Sequence, residues 1–134
     1  VIYLDSSALL KFVGRDKETD ALRAWRGALP VDAELLTSDL ATVEVSRTLF
    51  RAGVDQQRVP FVVGQALRGL YVIDLTTAVL SRAKAYGIRR LGSLDAIHLA
   101  TADPFLTELD AFVTYDSELS EAAAELGMPV LAPA

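Results

Sequence analysis

Hydrophobic and polar positions along the chain fall into two alternating regimes. Short apolar runs at Val1-Ile2-Tyr3-Leu4, Glu34-Leu35-Leu36-Thr37, Tyr71-Val72-Ile73, Ala111 to Tyr115 and Pro129-Val130-Leu131 have the length and apolarity of buried strands. Between them, apolar residues return with the 3.6-residue period of a helix. The spacing predicts helices over Ala8 to Val13, Lys17 to Leu29, Leu40 to Arg51, Asp55 to Leu70, Thr77 to Tyr86, Leu94 to Ala102 and Ser117 to Leu126. Side chains that accept hydrogen bonds from first-turn amides mark several starts. A serine of Asp5-Ser6-Ser7 is expected to cap the first helix, Ser38 or Asp39 the third, Thr76 or Thr77 the one reaching Tyr86, and Ser93 the next. Pro30, Gly53 and Gly127 close others. Asp103-Pro104 should kink or end the helix before it, because a residue preceding proline avoids helical dihedrals.

Strands that alternate with helices and read as buried on both faces predict an α/β fold. The expectation is a three-layer α/β/α sandwich around a mainly parallel five-stranded sheet, with residues 1–134 forming one domain. Ligands of such sheets sit beyond the carboxyl ends of the strands, where the strand order reverses. Four acids are placed for that position: Asp5 ends the first strand, Asp116 the fourth, Glu44 lies in the helix after the second, and Asp95 opens the helix before the fourth.

Each acid has a plainer explanation. Asp5 and Asp116 suit helix caps, Asp95 complements a helix dipole, and Glu44 is spaced to pair with Arg47. Their surroundings favour a shared site. Glu44 sits in Ala41-Thr42-Val43-Glu44-Val45 and Asp95 in Leu94-Asp95-Ala96-Ile97, where a charge removed from water needs a partner. Carboxylates converging in a low-dielectric crevice repel one another unless a cation neutralises them.

Composition decides which cation chemistry is open. The chain has no cysteine and one histidine, His98, which excludes disulfides, thiolate zinc, iron-sulfur clusters, a thiol nucleophile and multi-histidine metal sites. The remaining oxygen donors suit Mg2+, with Mn2+ as a substitute, and point to phosphodiester hydrolysis. A net charge of -5 speaks at first against nucleic acid. It is a sum of unlike parts, however: residues 1–90 hold all 13 basic and 10 acidic side chains, a net +3, while 91–134 hold 8 acidic ones and no lysine or arginine, a net -8. Any basic contact to RNA must therefore come from the first 90 residues. Arg47 and Arg51, on the Glu44 face of their helix, and Lys11 are the candidate RNA contacts, with salt bridges to nearby carboxylates as the alternative. No run of eighteen apolar residues and no secretory pattern occurs, so a cytoplasmic protein making no membrane contact is expected.

Three stretches, Ile2-Tyr3-Leu4-Asp5-Ser6-Ser7-Ala8-Leu9, Ser93 to Ala102, and Phe112-Val113-Thr114-Tyr115-Asp116 followed by Leu126 to Leu131, occur in this order, with Ser38 to Arg47 as a weaker fourth. Together they resemble a PIN-domain ribonuclease, more narrowly a VapC-type toxin of the VapBC toxin-antitoxin systems. The resemblance implies a metal-binding, catalytic cluster at Asp5, Glu44, Asp95 and Asp116, and endonucleolytic RNA cleavage that inhibits translation. It also implies silencing by a cognate VapB antitoxin. Homodimers are common among such relatives, and no residue here establishes one. Ser6 fits the family's serine or threonine after the first aspartate, Ser7 fits a cap or hydrogen-bond donor, and Thr114 is placed to orient Asp116 or a metal-bound water; these three are supporting candidates.

His98 follows Asp95 by one helical turn, yet a packed histidine inside an apolar helix, or one supporting the site, is a better reading than a general base. The stripe Leu22, Trp25, Leu29 and the stretch Val59 to Leu67 are candidate walls of an antitoxin groove, with ordinary core as the alternative. A catalytically silent PIN domain acting as an RNA- or protein-binding module is the competing function. A haloacid-dehalogenase-type phosphatase would need an aspartate where Ser7 stands, a receiver domain would need an acidic pair near the first strand, and no glycine-rich phosphate loop occurs.

Overall fold

A computed structural model describes residues 1–134. The chain runs β1 (Ile2–Leu4), α1 (Ser6–Val13), α2 (Thr19–Gly27), β2 (Leu35–Ser38), α3 (Asp39–Arg51), α4 (Val59–Ala66), β3 (Leu70–Ile73), α5 (Thr77–Ala85), α6 (Ser93–Ala102), a 3-10 helix (Asp103–Glu108), β4 (Ala111–Val113), α7 (Ser117–Glu125) and β5 (Val130–Leu131). All five strands are parallel, in the order β3-β2-β1-β4-β5. This is the expected three-layer architecture, and its sheet is wholly parallel.

Strand alternation sorts side chains into two cores. Ile2 and Leu4 of β1, Leu35 of β2, and Ala111 and Val113 of β4 pack with Leu9, Leu22, Val45, Val59 and Val63 on one side. Tyr3, Leu36 and Phe112 point to the other, among Leu99, Leu119, Ala122 and Met128. The first four helices therefore cover one face, and α6 and α7 the other. Fully buried leucines such as Leu9, Leu22, Leu99 and Leu119 each contribute roughly 1.5–3 kcal/mol of transfer free energy.

The topology creates the crevice. The chain winds outward from β1 to β2 and β3, then returns to lay β4 on the opposite side of β1. The register pairs Leu4 with Val113, and the amide of Asp5 donates to the Val113 carbonyl at 3.2 Å. Asp5 and Thr114, the residues immediately after the two strands, consequently emerge side by side. Helix α3 packs on α1 and α4 and also touches α6, so it links the two helical layers near this point.

Several local expectations need correction. The cap of α1 is Asp5, whose side chain accepts from the Ala8 amide, not a serine, and α6 is entered from Gly92 with Ser93 already helical. Ser38 and Thr76 cap as expected. The helix read from Asp55 to Leu70 shrinks to α4: the Asp55 carboxylate takes the Gln57 amide into a local turn at 2.8 Å, Pro60 sits in the first helical turn, and Gly69 adopts φ +79. After Ala102 the backbone tightens into the 3-10 helix, because Pro104 has no amide to continue the α ladder. Strand β4 stops at Val113 instead of Tyr115, since the next residues turn toward the crevice.

The candidate groove walls are core in part, with Phe61 and Pro60 left exposed on the outer side of α4. Leu22, Val59, Val63 and Ala66 are buried in one cluster, with Trp25, Leu29 and Leu67 packed against it.

Candidate active site

Asp5 is the most constrained of the four acids. It leaves β1 in extended conformation, 3% exposed, and its carboxylate is gripped on both oxygens. Oδ1 accepts from the Ser7 hydroxyl at 2.6 Å and the Ala8 amide at 3.0 Å, and Oδ2 accepts from the Thr114 hydroxyl at 2.6 Å. Burial raises its pKa, while the hydrogen bonds from Ser7 and Thr114, the nearby His98 and the Ala8 amide pull it back. Each hydroxyl also accepts a backbone proton, Ser7 from the Tyr115 amide at 2.9 Å and Thr114 from the Asp116 amide at 3.1 Å. The ends of β1 and β4 are thus stitched together through one carboxylate. Thr114 orients Asp5 directly and Asp116 only through its backbone, and Ser6, the first residue of α1, is half-buried.

Asp116 is exposed and caps α7, with Oδ1 accepting from the Leu119 amide at 2.9 Å. Asp95, in the first turn of α6, is half-buried and has no hydrogen-bond partner. Its pKa is pushed up to about 6, first by burial and then by the charge of Asp116, with Asp5 and Glu44 adding to the rise and His98 opposing it. That electrostatic coupling places all four acids in one field. Glu44, from the second turn of α3, does not pair with Arg47; its Oε1 lies 2.6 Å from His98 Nε2.

His98 is 1% exposed, and its other nitrogen, Nδ1, lies 2.7 Å from the Tyr3 hydroxyl. Tyr3 is itself fully buried, and its pKa is well above the ordinary phenol value because burial, together with the charges of Asp5 and Glu44, disfavours the phenolate. The packed, supporting reading of His98 is what the structure shows. Tyr3 was not a sequence candidate. The signal was there in the strand alternation, which turns Tyr3 to the side of the sheet where α6 lies, opposite to Ile2 and Leu4.

No three acidic or histidine side chains are gathered closely enough to chelate one ion as they stand. The donor set nonetheless fits a hard divalent cation. Asp95 has both oxygens free, Asp116 has Oδ2, Glu44 has Oε2, and Asp5 retains one lone pair on Oδ2. Mg2+ is commonly held by one or two carboxylates, with water and phosphate oxygens completing its shell.

The basic candidates divide. Lys11 is tied to Glu18 at 3.1 Å and Asp16 at 3.3 Å and lies over the Tyr115 ring, so the ion-pair alternative holds for it. Arg47 and Arg51 are exposed and in no salt bridge; Arg47 lies over the Phe50 ring beside a hollow completed by Ser46, Gln56, Val59 and Pro60. No helix is long and apolar enough to cross a membrane.

Comparison with known proteins gives this geometry a context. A PIN domain family model matches residues 2–125. The chain is 40% identical over 136 residues to ribonuclease VapC47 of Mycobacterium tuberculosis (strain CDC 1551 / Oshkosh), covering 99% of this chain and 97% of that one. Among solved structures, Mycobacterium tuberculosis VapC20, a sarcin-ricin loop cleaving toxin, superposes with a TM-score of 0.77 at 16% identity, covering 99% of this chain and 100% of that one. VapBC2 from Rickettsia felis, bound to a DNA fragment from its promoter, gives a TM-score of 0.71 at 14% identity and full coverage of both chains. At these identities the structural likenesses establish the fold.

Proposed function

The chain belongs to the PIN-domain family and, within it, to the VapC ribonucleases, and on that premise we propose that it is a metal-dependent endoribonuclease toxin neutralised by a VapB-type antitoxin. The observation that carries the reading is the convergence of Asp5, Glu44, Asp95 and Asp116 from four separate elements, near enough that burial first, and then the charges of Asp116, Asp5 and Glu44, push the Asp95 pKa up to about 6. A charge arrangement this unfavourable is retained where a cation relieves it.

Asp5, Glu44, Asp95 and Asp116 would hold Mg2+ or Mn2+. A bound divalent ion supplies charge neutralisation for the phosphodiester and activation of the attacking water. The protein's part is positional. Ser7 and Thr114 hold Asp5 in place, the Leu119 amide holds Asp116 by one oxygen and leaves the other unshared, and Asp95 has both oxygens unshared. Arg47 and Arg51 extend from the Glu44 face along α3, where phosphates flanking the cleaved bond would meet positive charge. The VapC relatives and the VapBC neighbour support the toxin and antitoxin assignments, and RNA cleavage by such a toxin would inhibit translation.

The test is cleavage of total cellular RNA by purified protein, with 5′ ends mapped. Cleavage should require Mg2+ or Mn2+, stop with chelator, and be lost in Asp95→Asn and Asp116→Asn with folding intact. Unchanged cleavage in both variants would remove the acidic cluster from the mechanism, and absence of any cleavage by the wild type would favour a binding module instead.

A further inference from the structure

Glu44 differs from its three companions in how it is aimed. Asp5 and Asp116 have short side chains fixed by amides of the helices they cap, and Asp95 lies in a first helical turn, whereas Glu44 projects on a longer, more flexible side chain from the second turn of α3. The contact that fixes it is His98. An ionised carboxylate only accepts, so Nε2 carries the proton of the 2.6 Å bond. With that proton on Nε2, Nδ1 is left to face the Tyr3 hydroxyl, which lies 2.7 Å away and can donate to its lone pair. Flipping the ring would set carbon atoms against both partners and forfeit two buried hydrogen bonds. Tyr3 is held in turn: it meets the imidazole edge-on and stacks on Phe112, with ring centroids 5.1 Å apart and 16° between planes.

The connection therefore runs from β4 through Phe112, to β1 through Tyr3, to α6 through His98, and ends on Glu44 in α3. The two strands that end it are the same two that deliver Asp5 and Asp116. We infer that Tyr3 and His98 are positioning residues that lock one imidazole tautomer, fix Glu44 by Oε1 relative to β1 and β4, and leave Oε2 for the cation. This rests on the proposed reading of Glu44 as a cation ligand. Burial alone accounts for an apolar environment around the ring; it does not account for polar partners on both nitrogens, one of them an acid of the site. Supporting partners of this kind typically change metal affinity by about 10–100-fold when removed.

His98 is the only histidine, so its ring 15N resonances identify themselves. In metal-free protein they should report the Nε2–H tautomer, and Tyr3→Phe should shift the Nδ1 resonance, which loses its hydrogen bond, while Glu44 keeps the proton on Nε2. Calorimetric titration with Mn2+ should then show affinity falling about tenfold or more in His98→Leu. His98→Gln, whose amide reaches the Nε2 position, should recover most of that loss, and Tyr3→Phe should weaken binding severalfold, with thermal unfolding confirming that each variant is folded. An Nδ1–H tautomer in the wild type, ring resonances indifferent to Tyr3→Phe, or equal Mn2+ affinity in His98→Leu and His98→Gln would each overturn the lock. If the wild type binds no Mn2+, the metal-dependent reading of the site fails, and the tautomer measurement by itself upholds or overturns the lock.

Discussion

The crevice has two unlike sides. Its floor, at the ends of β1 and β4, holds Asp5, Ser7, Thr114 and Asp116 in a continuous hydrogen-bond network, and both of its acids also cap helices. Its wall, built from α3 and α6, holds Glu44 against a buried histidine and leaves Asp95 with neither hydrogen bond nor ion pair. On the floor, Asp5 and Asp116 contribute to folding as helix caps whatever else they do. On the wall, Asp95 has no such partner and burdens the fold, which the proposed cation would relieve. Comparing the two shows that position in a site does not predict stability cost: the same kind of side chain is a structural support in one place and a source of repulsion in the other.

The sharpest test of that contrast lies on the floor. Asp5→Ala should abolish RNA cleavage and also destabilise the protein, because it removes the α1 cap, worth about 1 kcal/mol, and leaves buried hydroxyls of Ser7 and Thr114 without an acceptor, at roughly 1–3 kcal/mol. Urea denaturation at neutral pH measures it. A variant as stable as the wild type would show that the hydrogen bonds to Asp5 contribute nothing net to the fold.

Asp95→Asn should do the opposite to stability. A carboxylate whose folded pKa lies at about 6, above its ordinary 3.8, binds a proton more tightly when folded, so its contribution turns unfavourable as pH rises through this window. In chelator, the variant should melt above the wild type, with the gap widest above pH 6 and closing toward pH 4. Asp5 is shifted in the same direction, so some slope should persist in the variant. Saturating Mn2+ should remove or reverse the gap, since the cation favours the ionised wild type. Thermal melts across pH with and without Mn2+ provide the check, and a gap independent of pH would rule out carboxylate repulsion as its cause.

The smallest effects are expected beyond the wall, along α3. Arg47→Ala and Arg51→Ala should each weaken RNA binding severalfold and lower its salt dependence by about one counterion, while unfolding stability stays within about 0.5 kcal/mol of the wild type. Filter binding at several salt concentrations reads this, and an unchanged slope in both variants would move the RNA path off α3.

Much of the floor was legible from sequence. Asp5 and Asp116 follow apolar runs too short to be anything but strands, and a parallel sheet places strand ends together. The wall was legible only as an anomaly, an acid amid Ala41, Val43 and Val45 and another amid Leu94, Ala96 and Ile97. Pairing was not legible. Arg47, three residues from Glu44, was the natural local partner, yet His98, 54 positions away, takes that role. For Lys11 the sequence leaves RNA contact and salt bridge both open, and the fold decides for the salt bridge by bringing Glu18 and Asp16 to it. The long helix read over Asp55 to Leu70 failed because periodicity does not register an aspartate that captures a nearby amide.

Local chemistry by itself determined the kinds of element, their order, and the acids available at their ends, because these depend on side-chain period and on residues within a turn of one another. The tertiary structure decided which oxygen faces which donor. Thr114 reaches Asp5 across 109 positions and Tyr3 reaches His98 across 95, and both contacts exist only because β4 returns to pair beside β1 in a single register. A one-residue slip would turn Tyr3 to the opposite core and carry the whole connection to Glu44 away from the site.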